Sequence, residues 1–298
     1  MTNNSTTKFS YDIAYPEIRR VNGRIITSTV KEFLHAAGLL SDDQNNNPEL
    51  NKAIIARAIF AAFQRGILSL NATKQTGIIG YTPVRMSTGL GGKMEKVWSF
   101  STLSLCNPFC VKRMQNKDLV CGYCYVPDTL HIDGILQYVQ NFYILTAGLL
   151  PACWIPEIRE SNVKYHPIIR LEAFGDLFNK IQAENYLNIA HNNPSFKFGI
   201  WTKNPAILAA AIDEKGKPDN LSTVFSMSRV NVLDNNPEKW DPYFDHRFVV
   251  VDGESVKNTF LYNPAFYPCK CGPRSCIECQ ACYKKSESIM TAVELLRK

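Results

Sequence analysis

The sequence lacks a hydrophobic run long enough to cross a membrane. Its longest apolar stretch, residues 145–154, is interrupted by Gly148 and Pro151, whereas a membrane-spanning helix needs about 20 apolar residues. Dense runs of lysine and arginine are also missing, since the net charge is +6 and 20% of the 298 residues are charged. We therefore expect no membrane partner, and the charge permits nucleic-acid binding without supporting it.

A secretory signal is also missing, because the opening MTNNSTTKFSYD has no basic-then-apolar pattern. We therefore expect a cytoplasmic, reducing environment, in which disulfides are disfavoured. Histidine is scarce, with five residues, and His166 and His191 are interpreted as packing or surface residues rather than metal ligands. The apolar fraction of 45% is ordinary for a globular protein.

Cysteine is abundant, and its placement is uneven. Four of the ten cysteines, Cys106, Cys110, Cys121 and Cys124, follow a predicted strand within residues 96–105. A Cys-x2-Cys pair puts two thiolates on one turn, and a second pair can complete a sulfur site for zinc or for an iron–sulfur cluster. The polar loop around them argues against buried free thiols. The spacing therefore indicates a metal site and leaves the metal open.

A second cysteine group lies near the C-terminus. Its members are Cys269, Cys271, Cys276, Cys279 and Cys282. The spacing of the last three matches the first three ligands of a bacterial ferredoxin run, and either Cys269 or Cys271 is needed as the fourth. A zinc knuckle is the alternative.

Helices and strands alternate along most of the chain. Apolar periodicity predicts helices at 27–37, 47–65 and 131–149, while residues 41–48 read as a loop. Strands are predicted at 166–177, 196–205, 222–231 and 246–252, with helices between the first three and a last helix at 287–298. The glycine-rich segment 86–96 does not match a phosphate-binding loop and is interpreted as a turn close to the cysteines.

This alternation predicts an α/β fold with a parallel sheet that curves as an open or partial barrel. We divide the chain into an N-terminal helical extension (1–78), a partial-barrel core (79–265) and a C-terminal cysteine-rich segment with a helix (266–298). Ligands bind at the carboxyl ends of strands in such folds, so the polar residues at those ends should converge. They are Cys106, Asp176, Thr202, Lys203, Ser226, Ser228 and Arg229.

Four features together resemble the phage gene product eighty-eight family and its radical S-adenosylmethionine-like relatives. They are a strand, a loop ending Cys-Gly-Tyr-Cys-Tyr, a strand ending in Gly175-Asp176, and a strand ending Trp-Thr-Lys-Asn-Pro. The similarity spans residues 86–285 and includes Ser87-Thr88-Gly89 and Lys93. It implies a partial (βα) barrel of the radical S-adenosylmethionine type and, for a phage protein, a location in the host cytoplasm.

The resemblance also implies cofactors and partners. These are one or two 4Fe-4S clusters, S-adenosylmethionine, and an external electron donor such as ferredoxin or flavodoxin. Tyr123 takes the aromatic position before the last cysteine, and Gly175-Asp176 takes the place of a motif that contacts the cofactor's amino group. Thr202, Lys203 and Ser226 are further candidates for cofactor binding.

The chain departs from the usual pattern of that superfamily because ten residues separate Cys110 from Cys121. We expect Cys106, Cys121 and Cys124 to be the ligands, and the spacing leaves open whether Cys110 is a fourth. Four ligands would leave no open iron for S-adenosylmethionine, and the site would then be a redox or structural one. The alternatives to radical chemistry are thus an iron–sulfur redox or structural protein and a zinc-binding nucleic-acid or adaptor protein.

Overall fold

The computed structural model describes residues 20–21, 24–25, 27–46, 51–70, 72, 74–89, 92–163, 168–232, 237–269, 275–285 and 288–296. Its helices are α1 Thr27–Ala36, α2 Asp42–Asn46, α3 Lys52–Gln64, α4 Pro108–Met114, α5 Val126–Thr129, α6 Ile132–Ala147, α7 Glu160–Val163, α8 Lys180–His191, α9 Pro205–Lys215, α10 Glu254–Leu261 and α11 Cys276–Cys279. Its strands are β1 Arg20–Val21, β2 Arg24–Ile25, β3 Ile78–Ile79, β4 Met86–Thr88, β5 Trp98–Phe100, β6 Glu157–Ile158, β7 Ile168–Leu171, β8 Lys197–Thr202, β9 Leu221–Val230, β10 His246–Val251, β11 Phe266–Pro268 and β12 Met290–Leu295.

Eight of these strands form one sheet in the order β11-β12-β10-β9-β8-β7-β5-β4. Every neighbouring pair is parallel except β4 with β5. From β5 to β10 the order in the sheet follows the order along the chain, as expected for successive βαβ crossovers. The carboxyl ends of the parallel strands therefore meet at one edge of the sheet.

Two apolar clusters hold the molecule together. The first packs one face of the sheet, with Phe100, Leu171 and Phe198, against helices that include Tyr186 and Leu208. The second joins α1, α3 and α6 to the segment that carries the first cysteines. It includes Leu34, Ile59, Leu103, Val126 and Leu136. Full burial of such side chains stabilises the fold by roughly 1.5–3 kcal/mol each, so the N-terminal helices support the cysteine segment directly.

The predicted α/β class and parallel sheet are confirmed, and the barrel of the radical S-adenosylmethionine type stays a prediction. Helices α1, α3 and α6 and strands β7 to β10 lie where periodicity predicts them, with ends that differ by a few residues. The segment 96–105 is a strand only over Trp98–Phe100. Residues 42–46, predicted as loop, form α2. None of the described helices is long and apolar enough to cross a membrane.

The C-terminal segment differs most from the prediction. Residues 290–295 form strand β12 instead of part of a helix, and β12 lies between β10 and β11. Met, Ala, Glu and Leu are among the better helix formers, although the preference of each residue is small. Pairing with β10 over six register positions, from His246↔Met290 to Val251↔Leu295, outweighs that preference. The C-terminal segment is therefore part of the main sheet.

Candidate functional site

A cavity of about 270 Å³ opens at the carboxyl-end edge of the parallel sheet. Cysteine side chains from both segments line it: Cys110, Cys121, Cys124, Cys269, Cys276, Cys279 and Cys282. Six charged side chains also line it: Lys93, Arg170, Glu172, Asp176, Lys203 and Glu294. Residues more than 140 positions apart in the chain thus share one site.

The first cysteine segment folds into two short helical turns. Asn107 caps α4 by accepting a hydrogen bond from the Phe109 amide, 3.1 Å away, and Cys110 lies within that helix. Cys121 lies in a 3₁₀ turn that ends just before Cys124. Burial raises the pKa of the Cys110 and Cys124 thiols, and the nearby Lys203 cation opposes this effect at both. Three thiols thus face a common space beside one lysine.

Cys106 is placed differently from its neighbours. It is absent from the cavity lining, and its Sγ lies 3.8 Å from the Ala56 carbonyl oxygen on α3. Burial raises its pKa to about 12, with a smaller opposing effect from Arg57. Among the predicted ligands of this segment, the structure therefore brings together Cys110, Cys121 and Cys124.

The second cysteine segment reaches the cavity from the opposite edge of the sheet. Cys269 follows β11, and Cys276 and Cys279 begin and end α11, which is held by a capping box between Ser275 and Glu278. The Tyr267 hydroxyl lies 3.3 Å from Cys282 Sγ. Cys271 lies outside the described residues. The described cysteines form no disulfide, and no three potential ligands in this part of the chain already stand at metal-binding distances.

Asp176 connects two strand ends. Its carboxylate accepts hydrogen bonds from the Thr202 hydroxyl at 2.5 Å, the Lys203 amide at 3.0 Å and the Leu177 amide at 2.8 Å. Its side chain is buried, with 4% of the residue exposed. Thr202 does not line the cavity, and its hydroxyl group donates a hydrogen bond to Asp176. The predicted contact of Asp176 with a cofactor amino group stays a prediction.

Glu172 is a cavity residue that the sequence analysis missed. Its buried carboxyl accepts hydrogen bonds from Thr102 Oγ1 at 2.9 Å, from Gln182 Nε2 at 2.5 Å and from the Tyr186 hydroxyl. Burial raises its pKa to about 7, and the hydrogen bonds from Tyr186 and Thr102 oppose this rise. Its φ of 59° is uncommon for a residue with a side chain and points to a constrained local structure. The sequence feature that could have identified Glu172 is its position as an acidic residue directly after a buried strand.

The first cysteine segment is tied to residues 173–176 by several hydrogen bonds. The Ser104 amide donates to the Phe174 carbonyl at 3.1 Å, and Asn107 Nδ2 donates to the Asp176 carbonyl at 3.0 Å. Gly175 packs so closely that a Cβ would stand 2.5 Å from Thr102 Oγ1. The Gly-Asp turn and the cysteine segment therefore form one connected wall of the cavity.

Arg170, Trp201 and Tyr283 form what we call the cavity floor, together with Cys282. The Arg170 guanidinium carbon lies 3.7 Å from the Trp201 ring centroid, and the Trp201 and Tyr283 centroids are 5.2 Å apart. Arg170 is paired in register with Gly199, where a Cβ would stand 2.8 Å from the Tyr283 ring. Alternation along β7 and β8 puts Arg170, Gly199 and Trp201 on one face, a pattern that is already visible in the sequence.

The remaining predicted residues divide into two groups. Tyr123, Gly175, Lys203 and Ser226 line the cavity, whereas Ser228 and Arg229 do not. Tyr123 is 38% exposed, with the Lys117 ammonium 5.1 Å from its ring centroid. Of the six strand-end candidates other than cysteine, three do not line the cavity: Thr202, Ser228 and Arg229. A fourth, Asp176, lines it but has its carboxylate hydrogen-bonded to other protein groups.

These strand ends and the second cysteine segment can be compared with known proteins. Residues 140–285 match the family model described as Gene product 88. The Gene product 88 match covers just under half of the chain and supports the resemblance to that phage family. It contains Glu172, Asp176 and the last cysteines, while Cys110, Cys121 and Cys124 precede it. No curated protein and no solved structure matches the chain.

Proposed function

We propose that this protein is an iron–sulfur protein that binds S-adenosylmethionine in the cysteine-lined cavity. One observation carries the proposal: Cys110, Cys121 and Cys124 share a cavity with the Gly175-Asp176 turn at the carboxyl ends of parallel strands. That is where ligands bind in open parallel sheets. Thiolates are the usual ligands of such clusters, so the donor set fits the group.

In this proposal Cys110 replaces Cys106 as the third ligand. The Cys106 thiol is directed at the Ala56 carbonyl within the apolar cluster of the N-terminal helices. A cluster held by three thiolates keeps one iron open to bind S-adenosylmethionine and to pass it one electron. The Lys203 cation lies close enough to Cys110 and Cys124 to offset part of the thiolate charge.

The protein's own groups have separate roles in this site. The wall formed by residues 173–176 lines the cavity, and the absence of a side chain at Gly175 lets this turn pack closely against Thr102 and Glu172. The carboxylate of Asp176 fixes this turn against Thr202 and the Lys203 amide. We therefore assign Asp176 primarily to positioning the turn, with a direct contact to the cofactor's ammonium group as an additional role.

Cys269, Cys276, Cys279 and Cys282 supply enough thiols for a second centre in the same cavity, with either a 4Fe-4S cluster or zinc. Their position beside the first three cysteines favours a second candidate function. Two centres in one cavity suit an iron–sulfur redox protein that receives electrons from a carrier such as ferredoxin or flavodoxin. Such a redox function does not require S-adenosylmethionine.

The ligand assignment is tested by metal analysis of two matched variants. We expect anaerobically purified protein to be brown and Cys110→Ala to lose the iron and sulfide of one cluster. Cys106→Ala, which removes a half-buried thiol from the same segment, should keep both centres. Loss of a cluster in Cys106→Ala but not in Cys110→Ala would overturn the assignment, and colourless protein with bound zinc would overturn the iron–sulfur proposal.

Cofactor binding is tested on the same preparation. Addition of S-adenosylmethionine to the reduced protein should change its electron paramagnetic resonance spectrum, because a new ligand on one iron perturbs the cluster. Slow release of 5′-deoxyadenosine should accompany this change. A full complement of iron and sulfide with a spectrum indifferent to the cofactor would leave the redox function as the supported one.

A further inference from the structure

We propose that the cavity floor is an anion site, in which Arg170 and Tyr283 bind the carboxylate or phosphate group of a small acidic ligand. This inference goes beyond the proposed function and depends only on the cavity. It also gives the unknown substrate of that function a chemical class. Two buried donors, the distribution of charge in the cavity and the stacked position of the guanidinium group support this site.

Two hydrogen-bond donors on the floor are buried without a partner among the described residues. They are Arg170 Nε and the Tyr283 hydroxyl. Tyr283 is 4% exposed and lines the cavity. A buried donor that forms no hydrogen bond destabilises the folded protein, so native structures rarely keep two side by side without a partner. A bound oxyanion would accept hydrogen bonds from both groups.

The two donors are neighbours. Both contact Trp201: the guanidinium stacks on its face, and the tyrosine ring packs against its edge. Their side chains therefore converge on one part of the floor.

The charges of the cavity leave Arg170 without a carboxylate. Glu172 is occupied by Thr102, Gln182 and Tyr186, Asp176 is occupied by Thr202 and two backbone amides, and Glu294 pairs with Lys93. Among the described residues, Arg170 forms no ion pair. A guanidinium group that has no carboxylate partner favours a negatively charged ligand.

The guanidinium is also held in a suitable orientation. Stacking on Trp201 at 3.7 Å uses one face of the group and leaves its in-plane N–H donors available to other partners. Such donors match the two oxygens of a carboxylate or phosphate. Phe248 and Trp201 add apolar lining for the rest of the ligand.

The proposal can be tested by nuclear magnetic resonance on full-length protein labelled with ¹⁵N-arginine and purified with its metals. The Nε–H signal missing in Arg170→Lys identifies Arg170. Acetate and inorganic phosphate are then titrated separately at constant ionic strength. We expect a saturable shift of the Arg170 signal with at least one of them, and the more effective anion identifies the group as carboxylate or phosphate.

Arg113 supplies the matched control, because its guanidinium also stacks on an aromatic ring, 4.3 Å from the Phe109 centroid, yet it does not line the cavity. Its signal should not respond to either anion. Tyr283→Phe, which removes only the hydroxyl group, should weaken anion binding at Arg170 several-fold.

Three results would overturn the anion site. No saturable shift at Arg170 would mean that water alone satisfies the donors. An equal shift at Arg113 would mean that the anions act only through general screening. An Arg170 signal that shifts on metal loading and responds to anions only in metal-free protein would assign the residue to the neighbouring thiolates. Metal content is measured in parallel, so failure of this proposal is distinguishable from failure of the iron–sulfur one.

Discussion

Glu172 shows how one buried carboxyl group can make stability depend on pH. Its pKa is raised by burial from 4.5 to about 7 in the folded protein. Between these values the folded chain holds a proton that the unfolded chain has released, so the free energy of unfolding decreases as pH rises through 7. Below about 4.5 the contribution is fully present, and above 7 it is lost. This contribution of Glu172 to the free energy of unfolding is on the order of 3 kcal/mol.

We therefore predict that Glu172→Gln removes this pH dependence. Urea denaturation of both proteins at several pH values from 5 to 8 should show that wild type loses stability relative to the variant as the pH rises. His246, whose pKa is lowered mainly by burial, is present in both proteins and cancels in the difference. Parallel stability profiles would contradict the assignment of the raised pKa to Glu172.

Strand β8 depends on Gly199 in order to carry the cavity floor. A Cβ at this position would stand 2.8 Å from the rings of both Trp201 and Tyr283. Tyr283 is buried and cannot move without disturbing its contacts with Val97 and Ile168. The absence of a side chain at 199 is therefore what lets the second cysteine segment lie against the sheet.

Gly199→Ala is predicted to destabilise the protein by about 1–3 kcal/mol, because overpacking forces the aromatic rings apart. Urea denaturation measures the effect. Gly148→Ala is the matched control, since its φ of −173° is ordinary extended backbone and a Cβ there has nothing within 4 Å. The control should change stability by no more than about 0.5 kcal/mol. Equal effects in the two variants would show that the ring contacts do not limit β8.

At the scale of the whole molecule, the C-terminal segment completes the main sheet. Strand β12 pairs with β10 on one side and β11 on the other, and its Ala292 and Val293 are fully buried. Lys93, from the turn before β5, pairs with Glu294 across the cavity. The C-terminal segment therefore contacts both sides of the cavity. Its contacts stabilise the main sheet as well as the position of its own cysteines.

Deletion of residues 266–298 should consequently abolish cooperative unfolding, because it exposes the buried Val249 and Val251 of β10 along a new sheet edge. The double variant Cys276→Ala/Cys279→Ala keeps β12 and separates loss of metal from loss of the strand. It should lose one metal centre and retain cooperative unfolding in urea. A truncated chain with the same urea midpoint as wild type would show that the segment folds separately.

Much of the fold could be predicted because local patterns report local structure. The apolar spacing of Ile55, Ile59 and Phe63 predicted α3, and β-branched runs ending in polar residues predicted β7 to β10. The parallel sheet followed from their alternation with helices. Strand β12 was wrongly predicted as helix because four of its six residues, Met, Ala, Glu and Leu, are good helix formers, and pairing in the sheet overrides that preference.

By itself the sequence determined that nine cysteines lie in two groups with metal-ligand spacing, and that one group follows a strand. These are properties of neighbouring residues, so spacing reveals them. The tertiary structure alone decided that both groups line one cavity, that Cys110 faces it while Cys106 contacts Ala56, and that Arg170 and Tyr283 both contact Trp201. Such contacts join residues far apart in the chain, and they depend on the order of the strands in the sheet and on which side chains fill the space between them.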